Sequence, residues 1–263
     1  MRRIRHGTED RQIHEGKNDH PVRKDSQQTG ACSSDAGRAG HQSPSPRLRH
    51  FRSVICPGTC GICSIAGEIA NVINCAGLSP AMADGEKLIR VNAPGTVYVS
   101  QEFYSYMHEG SVIVGVSSNS AYTLPSIIIP KKAYELAETD EGAFVKKLLK
   151  LADIAKGDYN KAGFAYALSK NFVVWYAQKS AFVLGKKGIR VVSLSLGLID
   201  TGMGQKEAEH GDILLKTTVE GRMGKPEELG FAIACAADER NGYLAGVDIL
   251  CDGGATNGEH FLK

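Results

Sequence analysis

The pattern of hydrophobic and polar positions differs between two parts of the chain. Residues 1–53 contain only six large apolar residues among many Arg, His, Gln, Ser and Asp side chains. Such a segment cannot bury enough apolar surface to offset the entropy of ordering it. From about residue 62, short apolar runs alternate with amphipathic stretches, which is typical of βαβ units. We therefore predict a poorly ordered, atypical segment over residues 1–60 and a single α/β domain over residues 61–263.

Within the second part, short β-branched runs followed by Gly, Ser or Asn predict four buried strands. These runs are Asn71 to Asn74, Val112 to Val116, Ile189 to Leu194 and Val247 to Cys251. Helical spacing of apolar residues predicts helices between the strands. These helices are Lys87 to His108, Phe164 to Leu184 and Pro226 to Ala237. The alternation predicts a doubly wound parallel sheet, with ligands at the carboxyl ends of its strands.

A further amphipathic helix is predicted over Gly142 to Lys156. Its apolar side chains lie on one face and its lysines lie mostly opposite. This pattern favours a surface helix that covers the core or a partner subunit, with a membrane-surface helix as the alternative.

Composition and charge limit the kinds of partner. The 263 residues are 42% apolar, enough for one sizeable core, and the formal net charge is only +2. No overall field points to nucleic acid or a membrane surface, and no apolar run approaches the roughly 20 residues of a membrane span. The basic start of the chain lacks the interleaved aromatic residues of a nucleic-acid tail. We expect a soluble, cytoplasmic protein with a small-molecule partner.

The seven cysteines suit reduced thiols better than a disulfide framework. Three of them lie in apolar contexts and are predicted to be core residues: Cys75, Cys235 and Cys251. Three others stand near a histidine: Cys56, Cys60 and Cys63, with His50. Their spacing is irregular for a zinc or iron-sulfur site, so we predict free thiols and no bound metal.

Candidate chemistry lies in the helix after Phe164. Tyr166 and Lys170 are four positions apart, which places both side chains on one helix face. A nearby ammonium group lowers the pKa of a phenol, so Tyr166 becomes a usable acid or base near neutral pH. Ser117 and Ser118 end a predicted strand, where a hydroxyl can donate to a substrate oxygen. Each feature alone also has an ordinary structural explanation, because such pairs and turn serines are common.

These residues stand among motifs in the order of the short-chain dehydrogenase/reductase family, which residues 67–256 resemble. The motifs are Asn74-Cys75-Ala76-Gly77, Asn92 within Val91 to Gly95, Ser117-Ser118, Tyr166 with Lys170, Leu196 to Thr201, Gly224 to Glu228 and Tyr243 to Gly254. The resemblance implies a Rossmann-like fold and NAD or NADP as cofactor.

The resemblance also implies a role for each matching residue. Tyr166 would be the general acid/base, and Lys170 would lower its pKa and hold the nicotinamide ribose. Ser118, preferred to Ser117, would position the substrate oxygen, and Asn92 would belong to a proton relay through water and Lys170. The implied cofactor-binding residues also include Asn74, Ala76, Gly77, Gly197, Ile199 and Thr201. For Asn74 and Asn92 a structural tie between elements is compatible with these roles, and for Thr201 a helix cap is the alternative.

Two features depart from the family pattern. The interval between Ser118 and Tyr166, 48 positions, is unusually long and resembles the subgroup of bacterial 3-alpha-hydroxysteroid dehydrogenase/carbonyl reductase. In addition, the sequence has no Gly-rich turn of type TGxxxGxG to hold a pyrophosphate. Thr29-Gly30-Ala31 matches this motif only weakly. Three explanations stay open: a frame-shifted or misannotated reading of residues 1–60, which we favour; a degenerate member; or an attached metal module.

We therefore predict an oxidoreductase that transfers a hydride between NAD(P) and a secondary alcohol or ketone. A hydroxysteroid or related carbonyl compound is the expected substrate, and a homo-oligomer the expected assembly. The alternative is a catalytically defective Rossmann-like binding or regulatory protein that lacks the pyrophosphate loop.

Overall fold

The computed structural model describes residues 69–208 and 212–261. Its strands are β1 (Ile69–Asn74), β2 (Met107–Ser118), β3 (Arg190–Leu196) and β4 (Asp248–Cys251). Its α-helices are α1 (Gly85–Asn92), α2 (Pro94–Tyr104), α3 (Lys131–Tyr134), α4 (Glu141–Ala152), α5 (Asp158–Leu184), α6 (Gly202–Ala208), α7 (Asp212–Thr217), α8 (Pro226–Ala237) and α9 (Ala255–Phe261). The predictions for residues 1–60 lie outside the described residues.

The four strands form one parallel sheet in the order β1-β2-β3-β4. Alternate residues of β2 face opposite sides: Ile113 packs with Ala177 of α5, whereas Val114 packs with Ala236 of α8. Helices therefore cover both faces, and the predicted doubly wound, Rossmann-like α/β fold is confirmed. Because all four strands are parallel, their carboxyl ends meet at one edge of the sheet. Ser118 lies there beside Leu196 in the ladder.

The predicted single helix Lys87 to His108 is wrong. The chain forms α1 and α2 instead, with a break at Ala93, and β2 already begins at Met107. Pro94 has no N–H to donate within a helix, so it occupies the first turn of a new one. Apolar spacing continues through the break, and this continuity explains the incorrect prediction.

Helix α5 begins six residues earlier than predicted, at Asp158 rather than Phe164. The first residues of this helix are exposed and polar, so they carry no apolar stripe. Asp158 in the first turn is favourable because a negative charge complements the positive end of the helix dipole.

The long insert between Ser118 and Tyr166 folds onto the core. Asp140 caps α4 by accepting a hydrogen bond from the backbone N–H of Ala143. The α4 residue Phe144 is fully buried, and its ring centroid lies 5.0 Å from that of Phe172 in α5. Tyr134 of α3 meets the same ring at 5.3 Å, edge to face. The predicted amphipathic helix is thus a surface helix that covers the core.

The predicted burial of the three cysteines is wrong. Cys75 and Cys235 are exposed, and Cys251 is only partly buried. Cys75 follows the last residue of β1, and Cys235 shares an exposed face of α8 with Phe231. Apolar neighbours in sequence do not report which face of an element turns toward solvent.

Two features are absent from the part of the chain that the structure describes. None of its helices is long and apolar enough to cross a membrane. None of its His, Cys, Asp and Glu side chains form a group of three or more that could hold a metal ion. Cys56, Cys60, Cys63 and His50 lie outside this part.

Candidate active site

The end of β2 is joined to α5 by two hydrogen bonds. The Ser117 hydroxyl donates to the backbone oxygen of Lys170 at 2.8 Å, and the Lys170 Nζ donates to the backbone oxygen of Val116 at 3.1 Å. Both contacts are buried or nearly so, and they hold the middle of α5 against the carboxyl end of the strand. The Ser117 hydroxyl is used in this junction, whereas the Ser118 hydroxyl accepts from the backbone N–H of Ser120 at 3.2 Å. The preference for Ser118 as the serine that positions a substrate stays a prediction.

Ser118, Tyr166 and Lys170 come together at this junction. The Lys170 Nζ lies 5.7 Å from the centroid of the Tyr166 ring, as expected for residues four apart on a helix. The Ser118 hydroxyl interacts with the Tyr166 phenol and favours its ionised form. The structure thus places three of the four predicted catalytic residues around one point at the carboxyl edge of the sheet.

The electrostatics of this group differ from the expectation. Burial raises the pKa of Tyr166, the Glu207 carboxylate raises it further, and the hydrogen bond from Ser118 opposes both. Burial also lowers the pKa of Lys170 to about 8, against the opposing effects of Glu207 and Cys75. The predicted depression of the Tyr166 pKa is wrong for this structure, because desolvation of the phenolate outweighs the favourable interactions.

Asn92, the fourth predicted catalytic residue, connects separate parts of the chain through its side-chain amide. Its Oδ1 accepts from the backbone N–H of Leu78 at 2.8 Å, and its Nδ2 donates to the Leu78 oxygen and to the Ser169 hydroxyl. Asn92 therefore ties α1, the segment after β1 and α5 together. Ser169 directly precedes Lys170, so Asn92 is bonded to the neighbour of the lysine. The role of Asn92 in a proton relay stays a prediction.

The segment after β1 borders the same site. The Asn74 side chain donates to Thr96 of α2 and accepts from the backbone N–H of Ala76. Asn74 thus ties β1 to its neighbours, a structural role that is compatible with the predicted cofactor contact. A Cβ atom on Gly77 would lie 3.2 Å from the Lys170 Nζ. Gly77 therefore leaves open the space in front of the lysine.

The residues after β3 are held by different contacts. A Cβ atom on Gly197 would lie 2.7 Å from the Cα of Asp252, so packing against the end of β4 requires a glycine there. Ile199 forms a parallel bridge with Gly224. The Thr201 Oγ1 accepts from the backbone N–H of Gly204 at 3.1 Å, so this hydroxyl caps α6.

Gly197 and Ile199 also line a cavity of about 330 Å³ between the ends of β3 and β4 and the start of α8. Tyr166, Lys170 and Ser118 are not among the residues that line this cavity. This cavity therefore does not connect Gly197 and Ile199 with Tyr166 and Lys170. The cofactor contacts of the residues after β3 stay predictions.

Sequence reasoning missed Glu207 and Ser79. Glu207 lies on α6, and its Oε1 is shielded from solvent without a hydrogen-bond partner. Burial raises the pKa of Glu207, whereas the Ser79 hydroxyl and Lys170 lower it. Ser79 is fully buried, and its own hydroxyl does not reach hydrogen-bond geometry with any partner. A single Glu in a seven-residue helix gives no sequence signal of this placement.

A parallel α/β sheet with a tyrosine, a lysine and a serine at its carboxyl edge defines an acid–base site of the oxidoreductase type. Comparison with known proteins gives the family. The model described as Enoyl-(Acyl carrier protein) reductase matches residues 122–256, half of the chain. The chain belongs to the short-chain dehydrogenase/reductase family, a family of NAD(P)-dependent enzymes.

Individual relatives agree with this assignment. The chain is 28% identical over 195 residues to the short-chain dehydrogenase/reductase bsc3 of Alternaria brassicicola, covering 72% of this chain and 69% of the relative. It is 26% identical over 191 residues to the 3-alpha-hydroxysteroid dehydrogenase/carbonyl reductase of Comamonas testosteroni, covering 70% and 71%. The matches to the (3R)-3-hydroxyacyl-CoA dehydrogenases of Mus musculus and Rattus norvegicus, at 38% identity, are confined to 90 residues and span only 35% of the relative.

A solved structure shows the same fold. The 3-alpha-hydroxysteroid dehydrogenase of Pseudomonas sp. B-0831, whose structure is a complex with NADH, superposes with a TM-score of 0.64. The superposition covers 81% of this chain and 80% of that one, at 21% sequence identity.

Proposed function

We propose that the chain transfers a hydride between NAD(P) and a secondary alcohol or ketone. The observation that carries this proposal is the convergence of Ser118, Tyr166 and Lys170 at the end of β2. This group offers a hydrogen-bond donor, a proton carrier and a cation within one site, as the reaction requires.

In the reducing direction, the Tyr166 phenol gives its proton to the ketone oxygen, and the Ser118 hydroxyl donates a hydrogen bond to the same oxygen. The reverse reaction returns the hydroxyl proton to the Tyr166 phenolate. A raised pKa keeps Tyr166 protonated at neutral pH, which is the form that donates. The Lys170 ammonium stabilises the phenolate left after the proton has been given.

The residues present fit a nicotinamide cofactor. Gly77 leaves space beside the Lys170 Nζ, because a Cβ there would come within 3.2 Å of it. We propose that Asn74, Ala76 and Gly77 line the cofactor and that Lys170 binds its ribose. The further cofactor contacts that we propose are Gly197, Ile199 and Thr201. The bound nicotinamide supplies the hydride in reduction and accepts it in oxidation.

A hydroxysteroid or a related carbonyl compound is the proposed substrate class. The long interval between Ser118 and Tyr166 and the similarity to the Comamonas testosteroni enzyme support it. A homo-oligomer in the cytoplasm is the corresponding proposal for assembly and location. Light scattering of the purified chain tests the assembly.

A binding or regulatory protein without hydride transfer is the second candidate. Within residues 69–208 and 212–261, β1 pairs with β2 alone, and no Gly-rich pyrophosphate turn precedes it in the sequence. Such a protein would keep the pocket and lack turnover.

One experiment separates the two candidates. NADH and NADPH are titrated into the purified chain, and cofactor oxidation is then followed with a panel of ketones. We expect saturable binding and turnover, and Tyr166→Phe should lower turnover at least about a hundredfold with the fold intact. The matched control is Tyr106→Phe, because Tyr106 is half exposed at the start of β2, away from the site.

Two results would contradict the oxidoreductase. A folded chain that shows no turnover with any ketone, whether or not it binds a cofactor, favours the second candidate. A Tyr166→Phe variant as active as the Tyr106→Phe variant removes the proposed acid/base.

A further inference from the structure

The hydroxyl of Ser118 is bound to the turn that follows it. Residues Asn119–Tyr122 form a single 3₁₀ turn, and the Ser118 Oγ caps this turn by accepting from the backbone N–H of Ser120. The hydroxyl hydrogen makes only a 3.5 Å contact with the Asn119 side chain, so it can donate to a substrate oxygen. Whatever fixes the turn relative to α5 therefore also fixes Ser118 relative to Tyr166.

Asn171 ties this turn to α5. The Asn171 Nδ2 donates to the backbone oxygen of Ala121 at 2.9 Å, and Ala121 is buried. A buried carbonyl that loses its partner is unfavourable, so this bond favours the position in which the turn lies against the helix. Asn171 directly follows Lys170 in the chain. The bond therefore sets the distance between the turn after Ser118 and the helix that carries the lysine.

The turn has a second tie, which leads to β4. The Tyr122 hydroxyl donates to the Asp248 carboxylate at 2.6 Å, but Tyr122 is 45% exposed. Water competes for a hydrogen bond at an exposed position. The bond from Asn171, whose acceptor is buried, is therefore the better shielded of the two ties.

The insert between Ser118 and Tyr166 supplies the group that orients the Asn171 amide. The Tyr134 hydroxyl lies 3.0 Å from the Asn171 Oδ1 and 3.2 Å from the backbone oxygen of Leu168. The Ala121 oxygen can only accept, so the Asn171 Nδ2 faces it and the Oδ1 faces the phenol, which donates. Burial raises the pKa of Tyr134, so the phenol keeps the proton that it shares.

Tyr134 is itself held in place by aromatic packing. It is fully buried, and its ring centroid lies 5.3 Å from that of Phe172 and 5.4 Å from that of Trp175. Such ring contacts leave the hydroxyl little freedom to move. The insert therefore does more than cover the core, because its packing reaches the turn after Ser118 through Tyr134 and Asn171.

We infer that Asn171 and Tyr134 are positioning residues, which hold the turn after Ser118 at a fixed distance from Tyr166. This inference rests on the proposed hydride transfer, in which the Ser118 hydroxyl donates to the carbonyl oxygen. A small displacement of a group that binds the reacting oxygen lowers turnover, because that group acts only when it is already in place for the transition state.

A double-mutant cycle on kcat tests the inference. Asn171→Ala should lower kcat for ketone reduction about tenfold, while the affinity for NADH or NADPH changes by less than about twofold. In a Ser118→Ala background, Asn171→Ala should lower kcat by less than about twofold, since the group that Asn171 positions is already gone. A purely structural role would lower kcat equally in both backgrounds.

Tyr134→Phe is the second variant, because it keeps the ring in the core and removes only the hydroxyl. It should lower kcat about threefold, since the Asn171 amide keeps its bond to Ala121 but loses the group that orients it. In an Asn171→Ala background it should lower kcat no further. This variant tests the same tie if Asn171→Ala does not fold.

Each variant has a matched control. Asn160→Ala removes a bond between an amide and a backbone oxygen, to Lys156 at 2.9 Å, from the exposed start of the same helix. Tyr176→Phe removes another phenol hydroxyl, bonded to Glu138 at 3.3 Å, from a buried ring that stacks on Phe172. Both controls should keep the wild-type kcat, and urea denaturation checks that every variant is folded.

Hydrogen exchange measures the tie without turnover. Mass spectrometry follows deuterium uptake in a peptide that contains residues 117–123. Uptake should be faster in Asn171→Ala than in the wild-type chain or in Asn160→Ala, because the turn is released from the helix.

The possible outcomes separate this inference from the proposed function. Equal losses of kcat in the two serine backgrounds would overturn the positioning role and keep the hydride transfer. Unchanged deuterium uptake in Asn171→Ala would overturn the tie itself. A wild-type chain that reduces no ketone would remove the hydride transfer and, with it, the positioning role, even if the uptake shows that the tie exists.

Discussion

The junction between β2 and α5 and the segment after β3 both carry motif residues, but they are held in place in different ways. At the junction, Ser117 and Lys170 exchange hydrogen bonds with the backbone, and a cluster of aromatic rings supports the helix behind them. After β3, Gly197 and Gly204 allow backbones to approach more closely than any side chain would permit. The junction thus depends on packed side chains. The segment after β3 depends on glycines, which have no side chain.

The largest expected effect comes from breaking the packing behind the junction. Phe172 is fully buried among Tyr134, Phe144 and Tyr176. Phe172→Ala should lower the free energy of unfolding by about 3–5 kcal/mol, because it removes apolar contacts and leaves a cavity. Urea denaturation followed by circular dichroism measures the loss.

Phe182→Ala is its control on the same helix, since Phe182 is 81% exposed. That variant should change stability by no more than about 0.5 kcal/mol. Similar losses in the two variants would show that the aromatic cluster does not support α5.

The next effect tests the second segment. Gly197→Ala would place a Cβ 2.7 Å from the Asp252 Cα, so the backbones must move apart. We expect a loss of about 1–3 kcal/mol, as for an overpacked core. The same urea titration measures it.

Gly163→Ala is the contrasting control, because a Cβ there meets nothing within 4 Å and the residue lies inside α5. It should raise stability by about 0.5–1 kcal/mol, since alanine loses less conformational freedom in a helix. A Gly197→Ala variant as stable as Gly163→Ala would contradict the close approach of the two strand ends.

The same contrast explains what the sequence alone can predict. The Tyr166 and Lys170 pair is readable because helical spacing depends on residues close in sequence. The edge of the sheet where Ser118 lies follows from the parallel strands. The motif order adds the family, and with it Asn92 and Gly77.

The remaining features depend on contacts between distant parts of the chain. The inward position of Glu207 depends on the approach of Gly204 to Ile199, which no local pattern encodes. The raised pKa of Tyr166 results from burial, which outweighs the favourable contacts that sequence spacing suggested. The exposure of Cys75 likewise depends on the path of the segment that follows β1, which the sequence around it does not encode.

The smallest expected effect concerns Thr201, whose hydroxyl caps the short helix α6. Thr201→Val keeps the shape of the side chain and removes the acceptor for the Gly204 N–H, so stability should fall by up to about 1 kcal/mol. Thr201→Ser keeps the acceptor and should retain most of it. If NADH affinity also falls in Thr201→Val and returns in Thr201→Ser, the segment after β3 contacts the cofactor in addition to holding α6. If stability is the same in all three proteins, the cap does not hold α6, and the close approach at Gly204 alone must position Glu207.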